Sequence, residues 1–419
     1  GEASTAPASR PLAARRDSEA GPAPVAVYDA ASQRDMETKA VNALVAESVN
    51  SFHDCGGKGE PKTLALRQAG RTSTFRKSIT CDFSDMFTLE DNVFSVHQRV
   101  AEGGFASIFE VESLDENGGG VNETITVTFH VNEKNVRAIK WEKRSTCWEY
   151  YINHVLHSRL PANHRMRFIE FEGHYKYSEN SFTVMPYHPN GSLQDAINVF
   201  RTNNNNSACI PEELVLFFAI ELFTVVEQFH SASLIHGDIK PDNLLLRIEG
   251  PPTKSLPKYS GKSENGWENK GLRLIDFGRS IDTSLYPEGT LFTGESVKDF
   301  MCKEMEDGTP WAFHCDLHCI CAVLFCLLHG EYMKCKVEAG VMRPATPFRR
   351  YHQKSVWEPI FEKLMNAGDE ANTAQGSVTI LRWARQQVQD FFKKESLKAK
   401  MVSMKLIKLC GLLIGRRTK

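Results

Sequence analysis

The stretch LIHGDIKPDNLLL, residues 234–246, sets several polar side chains between two apolar runs. Transfer of a phosphoryl group from a nucleotide needs a carboxylate for the attacking hydroxyl, a cation beside the phosphate, and oxygen ligands for Mg²⁺. Asp238, Lys240 and Asn243 offer one of each. We therefore predict a catalytic loop in which Asp238 is the base, Lys240 reaches the phosphate and Asn243 binds metal. His236 is predicted to brace the loop.

Four segments outside the loop complete this chemistry. LRLIDFGRS ends an apolar strand at Asp276, which is predicted to be the second metal ligand. VRAIKW places Lys140 in a strand, where it is predicted to pair with the α- and β-phosphates. Glu149, in STCWEYYINHVL, is predicted to hold Lys140 from a helix, although the two positions are only nine apart. The glycine turn in RVAEGGFASIF is predicted to fold over the phosphates.

A strand lysine, a helix glutamate, this catalytic loop and an Asp-Phe-Gly turn, in that order, form the signature set of eukaryotic protein kinases. Asp238 precedes Asn243 by five positions, as that loop requires. Lys240, two residues after the base, is the serine/threonine arrangement. The predicted fold is α+β: a bilobal protein-kinase fold with a small antiparallel β lobe and a larger helical lobe.

The pattern of apolar and turn-forming residues divides the 419-residue chain into five parts. Short β-branched runs from residue 93 predict a sheet of about five strands, and long apolar helices follow. Polar segments rich in Pro, Gly or Ala predict disorder. The predicted parts are disorder over 1–33, a partly ordered extension over 34–92, the small lobe over 93–186, the large lobe over 187–395 with a flexible insertion at 249–271, and a basic tail over 396–419.

Composition narrows the function classes. The formal net charge of −2 gives no general attraction to nucleic acid or anionic membrane, and we predict that the chain binds neither. Eleven irregularly spaced cysteines favour reduced thiols in a cytosolic or nuclear protein. No apolar run is long enough to predict a transmembrane segment. A zinc site is a less favoured reading than a buried helix for His314, Cys315, His318 and Cys319.

Six quoted segments narrow the resemblance further. HGDIKPDN, LIDFGRSID, YPEGTLFTG, WAFHCDLHCICAVLFCLLHGEYMK and FRR resemble the kinase domain of the Bub family of mitotic checkpoint serine/threonine kinases, and WEYYI is also similar. The resemblance covers about residues 88–393. Residues 34–87 are similar in position to the extension that precedes that family's small lobe.

The resemblance implies ATP and Mg²⁺ as cofactors and assigns further roles. Glu304 occupies the position of the glutamate that ends the kinase activation segment, which begins at Asp276. Asp316 occupies the position of an aspartate that hydrogen bonds the catalytic-loop backbone. The residues implied in nucleotide binding are Ala101, Gly103, Gly104, Phe105, Ala106, Ile108, Lys140, Met185 and Tyr187.

Two departures from the kinase pattern qualify these roles. Alanine stands at two phosphate-loop positions, Ala101 and Ala106, where the ideal pattern has glycine, which hampers nucleotide approach only slightly. Gly237 replaces the arginine that normally pairs with an activation-loop phosphate, which argues against a phosphorylation switch.

The function implied by the resemblance is ATP-dependent phosphorylation of Ser or Thr in kinetochore or centromeric chromatin proteins, such as a histone tail, in the spindle-assembly checkpoint. Checkpoint and kinetochore proteins are the implied partners. The implied location is the nucleus, with kinetochores and centromeres in mitosis, and a cytoplasmic pool remains open. Two alternatives stand beside it: a catalytically weak or pseudokinase scaffold of the same family, and a small-molecule kinase, which Lys240 and Phe277 disfavour.

Overall fold

A computed structural model of the chain describes residues 26–46, 51–55, 86–114, 135–203, 210–249, 256–294 and 300–417. These residues form a small lobe built on one curled sheet and a larger lobe built mainly of helices. The predicted catalytic loop lies at the cleft between the two lobes.

The small lobe contains seven hydrogen-bonded strands. They are β2 (Phe52–Asp54), β3 (Met86–Leu89), β4 (Asn92–Glu102), β5 (Ala106–Leu114), β6 (Val136–Glu142), β7 (Gly173–Lys176) and β8 (Ser181–Pro186). Their order is β2-β7-β8-β6-β5-β4-β3, and every pair is antiparallel except β2 with β7. The sheet is thus wider than the predicted five strands. One of the short β-branched runs that predict strands, ITVTFHV at 125–131, lies outside the described residues.

The two faces of this sheet have different tasks because successive side chains of a strand alternate between them. In β6, Ile139 and Trp141 point into the small lobe's own aromatic core. Ala138 packs in the core that continues into the large lobe. Lys140, two residues further along the strand, lies on the same face as Ala138. Strand alternation therefore aims Lys140 at the cleft. The small core also contains Phe87, Phe94, Phe109, Val111, Phe182 and Val184.

The predicted disorder of residues 1–33 is wrong for its last part, because residues 26–33 are ordered, while 1–25 lie outside the described residues. Val27–Tyr28 (β1) pairs in parallel with Leu291–Phe292 (β13) in the activation segment. Helix α1 (Ala30–Ala46) then begins, and the Asp29 carboxylate accepts a hydrogen bond from the Ser32 backbone N–H at 2.8 Å. This cap and the distant strand give order to a segment whose composition alone predicts none.

Two apolar helices form the centre of the large lobe: α5 (Glu212–Ser231) and α7 (His314–His329). Among the described helices, α5 is long and apolar enough to cross a membrane by length and composition. However, 89% of its apolar stretch is buried inside the lobe, as in the core helix of a globular domain. The remaining helices are α2 (Trp148–Arg159), which packs against α1, α3 (Ala162–Arg165), α4 (Leu193–Asn203), α6 (Lys303–Asp307), α8 (Lys354–Met365), α9 (Ala374–Lys394) and α10 (Ser396–Arg417).

Three two-stranded ladders complete the large lobe. The catalytic loop runs from the end of β9 to the start of β10 and so connects two of these ladders. The antiparallel pairs are β9 (Leu234–Ile235) with β12 (Ile281–Asp282), β10 (Leu244–Ile248) with β11 (Lys270–Leu274), and β14 (Cys335–Glu338) with β15 (Val341–Pro344).

The predicted flexible insertion at 249–271 is also wrong for the described residues 256–271. Tyr259 and Trp267 are each 1% exposed and lie within 5.4 Å, ring centre to ring centre, of Phe217 in α5. Trp267 Nε1 donates to the Pro257 carbonyl at 3.2 Å. Two buried aromatic side chains anchor a segment that is otherwise mostly polar or glycine. Residues 250–255 lie outside the described residues.

The basic tail predicted over 396–419 is the helix α10 through Arg417. Its apolar positions repeat every three or four residues, which places them on one face. That face packs on the large lobe, so the lobe extends past the predicted boundary at residue 395. The buried residues are Ala399, Val402, Leu406, Leu409 and Leu413.

Candidate active site

The catalytic loop holds Asp238 with one carboxylate oxygen engaged and one free. Oδ2 accepts from Lys240 Nζ at 2.7 Å and from Asn243 Nδ2 at 3.1 Å. The Asp238 N–H donates to His236 Nδ1, so His236 braces the loop. Oδ1 of Asp238 is buried, and no group of the described residues hydrogen bonds to it. An unpartnered buried carboxylate oxygen is suited to accept the proton of an incoming hydroxyl.

Asp316, at the start of α7, fixes the backbone of this loop. Its carboxylate accepts from the N–H groups of His236 at 2.7 Å and Gly237 at 2.9 Å. The ring of His230 lies 3.0 Å from the same carboxylate. Burial opposes ionisation of Asp316, yet the hydrogen bonds and charge of its neighbours hold its pKa below the usual range. Asp316 therefore makes the contacts that the kinase resemblance implies for it.

Backbone geometry explains the glycine that departs from the kinase pattern. Gly237 has φ +72°, a left-handed conformation that side chains rarely adopt. A Cβ at this position would lie 3.0 Å from the Arg279 carbonyl oxygen. An arginine at position 237 would thus be strained in this loop, which is held in place by other contacts.

Lys140, Glu149 and Asp276 come together between the lobes. Lys140 Nζ donates to Glu149 Oε2 at 2.5 Å and to Asp276 Oδ1 at 3.0 Å. The second oxygen of Glu149 accepts from the N–H of Phe277 at 3.2 Å. The short connection from β6 to α2 therefore does not keep Glu149 from Lys140. Phe277 is fully buried and packs against the rings of Phe229 and His236.

The charges of this group support one another. Burial favours the neutral amine, but Glu149 and Asp276 outweigh it and raise the pKa of Lys140. Burial likewise opposes ionisation of Asp276, while Lys140 lowers the pKa of that carboxyl. Burial raises the pKa of Glu149, and Lys140 works against that shift. Lys140 is a fixed positive charge in the cleft, which is what binding of phosphate oxygens requires.

Asn243 and Asp276 have the donor chemistry of a magnesium site. The backbone brings them together, because the Ile275 N–H donates to the Asn243 carbonyl at 3.1 Å. The amide nitrogen of Asn243 bonds Asp238, which leaves the amide oxygen as the atom that would meet a cation. Asp276 has φ +66° and a side chain 40% exposed to the cleft. An amide and a carboxylate oxygen beside an open cleft fit a hard divalent cation.

The glycine turn lies at the upper edge of the cleft, between β4 and β5. Gly103 N–H donates to the Ala106 carbonyl at 2.8 Å, and a Cβ on Gly104 would meet nothing within 4 Å. Internal packing therefore does not require a glycine at Gly104, and the space beside it is open. Phe105, 66% exposed, lies beneath the guanidinium of Arg144, 4.5 Å from the ring centre.

Strand register places the other predicted nucleotide residues around Lys140. Ile108 in β5 pairs with Lys140, and Ala101 in β4 pairs with Ile108. Met185 in β8 pairs with Ala138 and thus shares the face of Lys140, and Tyr187 follows β8. These side chains border the same side of the sheet, where an adenine ring would lie.

Sequence reasoning missed a link between α2 and the activation segment. Arg159 donates through both terminal nitrogens to the fully buried Asp282 carboxylate, each at 2.8 Å. The Tyr151 hydroxyl donates to the same carboxylate at 2.9 Å. Arg159 and Asp282 lie 123 positions apart, and no local pattern signals their pairing.

Comparison with known proteins identifies a family, similar checkpoint kinases and a similar solved structure. The model of the protein kinase domain matches residues 95–366. The chain is 32% identical to the spindle assembly checkpoint serine/threonine-protein kinase BUB1 of Saccharomyces cerevisiae over 69% of this chain and 27% of the relative. It is 33% identical to the mitotic checkpoint serine/threonine-protein kinase BUB1 of Arabidopsis thaliana over 65% of this chain and 51% of the relative.

The chain therefore spans about a quarter to a half of the length of these relatives. Among solved structures, the crystal structure of the BubR1 kinase domain matches 91% of this chain and 97% of that chain with a TM-score of 0.68, at 22% identity. These findings confirm the predicted bilobal kinase fold and the resemblance to the Bub kinases.

Proposed function

We propose that this chain, which belongs to the protein kinase family, transfers the γ-phosphate of ATP to serine or threonine side chains of spindle-checkpoint substrates. One observation carries the proposal. Lys140, Glu149 and Asp276 form a single ion-pair cluster across the cleft, next to the catalytic loop, where Oδ1 of Asp238 is unpartnered. A base with an unpartnered oxygen beside groups that can bind phosphate and a metal ion is the arrangement that phosphoryl transfer requires.

Each residue is assigned the task that its contacts allow. Asp238 accepts the proton of the substrate hydroxyl through Oδ1, and Lys240, 2.7 Å from Oδ2, offers positive charge to the transferring phosphate. Lys140 binds phosphate oxygens and is oriented by Glu149. Asn243 and Asp276 would hold Mg²⁺. When bound, the magnesium–nucleotide complex supplies the phosphoryl group and neutralises part of its charge.

The active arrangement of this cleft depends on contacts other than a phosphorylated loop. Gly237 has no side chain to bind an activation-loop phosphate. Instead, Asp282 bonds Arg159 and Tyr151 of α2, the helix that also carries Glu149. We therefore infer activity without activation-loop phosphorylation, since α2 is already positioned.

The biological setting follows from the relatives. The names of the yeast and Arabidopsis kinases state a spindle or mitotic checkpoint role for those proteins. By extension we propose mitotic substrates at kinetochores or centromeric chromatin, such as a histone tail, and a nuclear location for the whole protein. Checkpoint partners would bind largely through the parts of those longer proteins that this chain does not span.

The decisive experiment measures transfer of radiolabelled phosphate from ATP to histones and to generic protein substrates by wild type and Asp238→Asn. The amide keeps the size of the side chain but loses its basicity, so the rate is expected to fall by about 10²–10⁴-fold. Asp242→Asn is the matched control, because Asp242 belongs to the same loop but is exposed. It is expected to keep wild-type activity.

Nucleotide binding separates an active kinase from a scaffold. Mg·ATP is expected to raise the melting temperature of wild type and of Asp242→Asn, since a ligand of the folded state stabilises it. Asp276→Ala is expected to lose the Mg²⁺-dependent part of that rise. Equal phosphate transfer by wild type and Asp238→Asn, or no thermal response of wild type to Mg·ATP, would overturn the proposal and favour the scaffold.

A further inference from the structure

Three side chains with metal-binding chemistry meet where the activation segment ends, outside the cleft. They are Cys302, Glu304 and His314, and one ligand atom of each lies within 4.8 Å of the other two. Cys302 caps α6, Glu304 lies in its first turn, and His314 begins α7. Phosphoryl transfer assigns these side chains no task at the reacting atoms.

His314 is the least satisfied member of this group. Among the described residues neither of its ring nitrogens finds a hydrogen-bond partner, and its side chain is only 11% exposed. A neutral imidazole keeps one nitrogen lone pair available for a ligand. A buried imidazole with both nitrogens unpaired is costly, and a ligand that takes the lone pair would remove part of that cost.

Glu304 and Cys302 turn toward this ring. Glu304 Oε2 lies 3.7 Å from His314 Nε2, and among the described residues no lysine or arginine forms an ion pair with Glu304. Cys302 is 2% exposed. The carboxylate and the sulfur thus face a nitrogen that has no other partner.

We propose that Cys302, Glu304 and His314 bind one Zn²⁺ ion. Sulfur, imidazole nitrogen and carboxylate oxygen are the ligand types of zinc sites, whereas Mg²⁺ avoids thiolate. On binding, the thiol of Cys302 releases its proton to solvent as the Zn–S bond forms. Three protein ligands leave the fourth tetrahedral position for water. Water can reach that position from the side of Glu304, whose side chain is 38% exposed.

The geometry needs only a modest closure. Bonds of about 2.0–2.3 Å to a tetrahedral ion bring ligand atoms to within roughly 3.3–3.8 Å of one another. The present separations, up to 4.8 Å, exceed this by about an ångström, which side-chain rotation of Glu304 and His314 can supply. The bound ion would join α6 to α7 and so fasten the end of the activation segment to the centre of the large lobe.

This site differs from the zinc reading that the sequence raised for His314, Cys315, His318 and Cys319. Cys319 Sγ donates to the Phe300 carbonyl, and Cys315 Sγ lies 3.8 Å from Asp316 Oδ1. Both cysteines are therefore engaged in core contacts, as a buried helix requires. His314 is the shared residue, and the other two ligands come from α6.

The test titrates ZnCl₂ into the metal-free full chain in competition with a chromophoric chelator, at neutral pH. Wild type is expected to bind one tight equivalent of Zn²⁺. Cys302→Ser and His314→Gln are each expected to weaken that equivalent by at least about tenfold, or 1.4 kcal/mol. Cys335→Ser is the matched control, since Cys335 is an exposed cysteine near α7, and it is expected to change nothing.

A second measurement guards against variants that fold poorly. Co²⁺ replaces Zn²⁺ in wild type, where a thiolate–cobalt absorption band is expected; the band should persist in Cys335→Ser and disappear in Cys302→Ser. Absence of a tight Zn²⁺ equivalent in wild type, or its loss in Cys335→Ser and not in Cys302→Ser, would overturn the proposal. Neither measurement depends on kinase activity, so the result is independent of the proposed function.

Discussion

At the scale of single residues, the fully buried Asp282 carboxylate shows how this kinase fixes its activation segment. It accepts two bonds from Arg159, one from Tyr151, and one each from the N–H and hydroxyl of Ser284. A buried carboxylate is tolerated only when it is paired and hydrogen bonded. The cost of removing its partner therefore measures how firmly α2 is tied to the segment.

Arg159→Met is expected to destabilise the chain by about 3–5 kcal/mol, because it leaves a buried charge without its ion pair. Urea unfolding of wild type and variant measures the difference. In the same background Asp282→Asn removes the charge, so the double variant is expected to be more stable than Arg159→Met alone.

An ion pair of similar length on the surface serves as the control. Arg343 and Glu362 lie 2.7 Å apart with side chains 43% and 54% exposed. Arg343→Met is expected to cost far less than Arg159→Met, since water screens the pair. Similar losses for Arg159→Met and Arg343→Met would show that burial of Asp282 carries no special weight.

At the scale of elements, α10 shows how a basic composition can conceal a structural helix. Its apolar residues repeat every three or four positions and pack on α5 and α4. It also holds the ordered part of the insertion: the Ser403 hydroxyl donates to the Pro257 carbonyl at 2.7 Å, and the Tyr259 N–H donates to the Ala399 carbonyl. The helix and the insertion thus stabilise each other, which explains why neither a flexible insertion nor a simple basic tail describes these segments.

Leu409→Ala tests whether α10 belongs to the cooperative unit of the large lobe. Leu409 is fully buried, so its truncation is expected to lower the free energy of unfolding by about 2–5 kcal/mol. Met404 in the same helix is 64% exposed, and Met404→Ala is expected to stay within about 0.5 kcal/mol of wild type. Chemical denaturation followed by tryptophan fluorescence measures both. Equal effects would mean that α10 is only loosely attached.

At the scale of the whole molecule, buried histidines predict sensitivity to acid. Burial lowers the pKa of several of them to about 3 or 4, so the folded chain favours their neutral form. Their stabilising contribution is present above the unfolded-state pKa of 6.5 and is lost as pH falls toward the folded-state values. Burial raises the pKa of Glu142 to about 7, which acts in the opposite direction. The histidines are His174, His188, His318, His329 and His352.

His174 isolates this effect. It is 1% exposed, its pKa is lowered to about 4 by burial, and it stacks on Phe52 and Tyr150. From pH 7.5 to pH 5.5 it is expected to contribute a loss of roughly 1.4 kcal/mol. His174→Phe should therefore lose less stability over that interval than wild type in urea unfolding. An identical pH dependence for both proteins would contradict the prediction.

The sequence by itself determined the chemistry of the cleft. Short sequence motifs specify local backbone geometry. The catalytic loop, the Asp-Phe-Gly turn and the strand lysine are each defined by such a motif. The alternation of apolar and polar residues in β6 likewise predicted a strand, and the apolar surface of α5 predicted a core helix. The role of Asp316 followed from the family resemblance, and the structure shows its carboxylate accepting hydrogen bonds from the catalytic-loop backbone.

Only the tertiary structure decided which distant groups meet. The order of the motifs predicted that Glu149 holds Lys140, and the folded chain supplies that contact. No local pattern near Val27 indicates a strand partner at Leu291, and none near Arg159 indicates its pairing with Asp282. The ordered insertion and α10 were misread for the same reason. Their stability comes from apolar area buried against other elements, and that area exists only after the chain has folded.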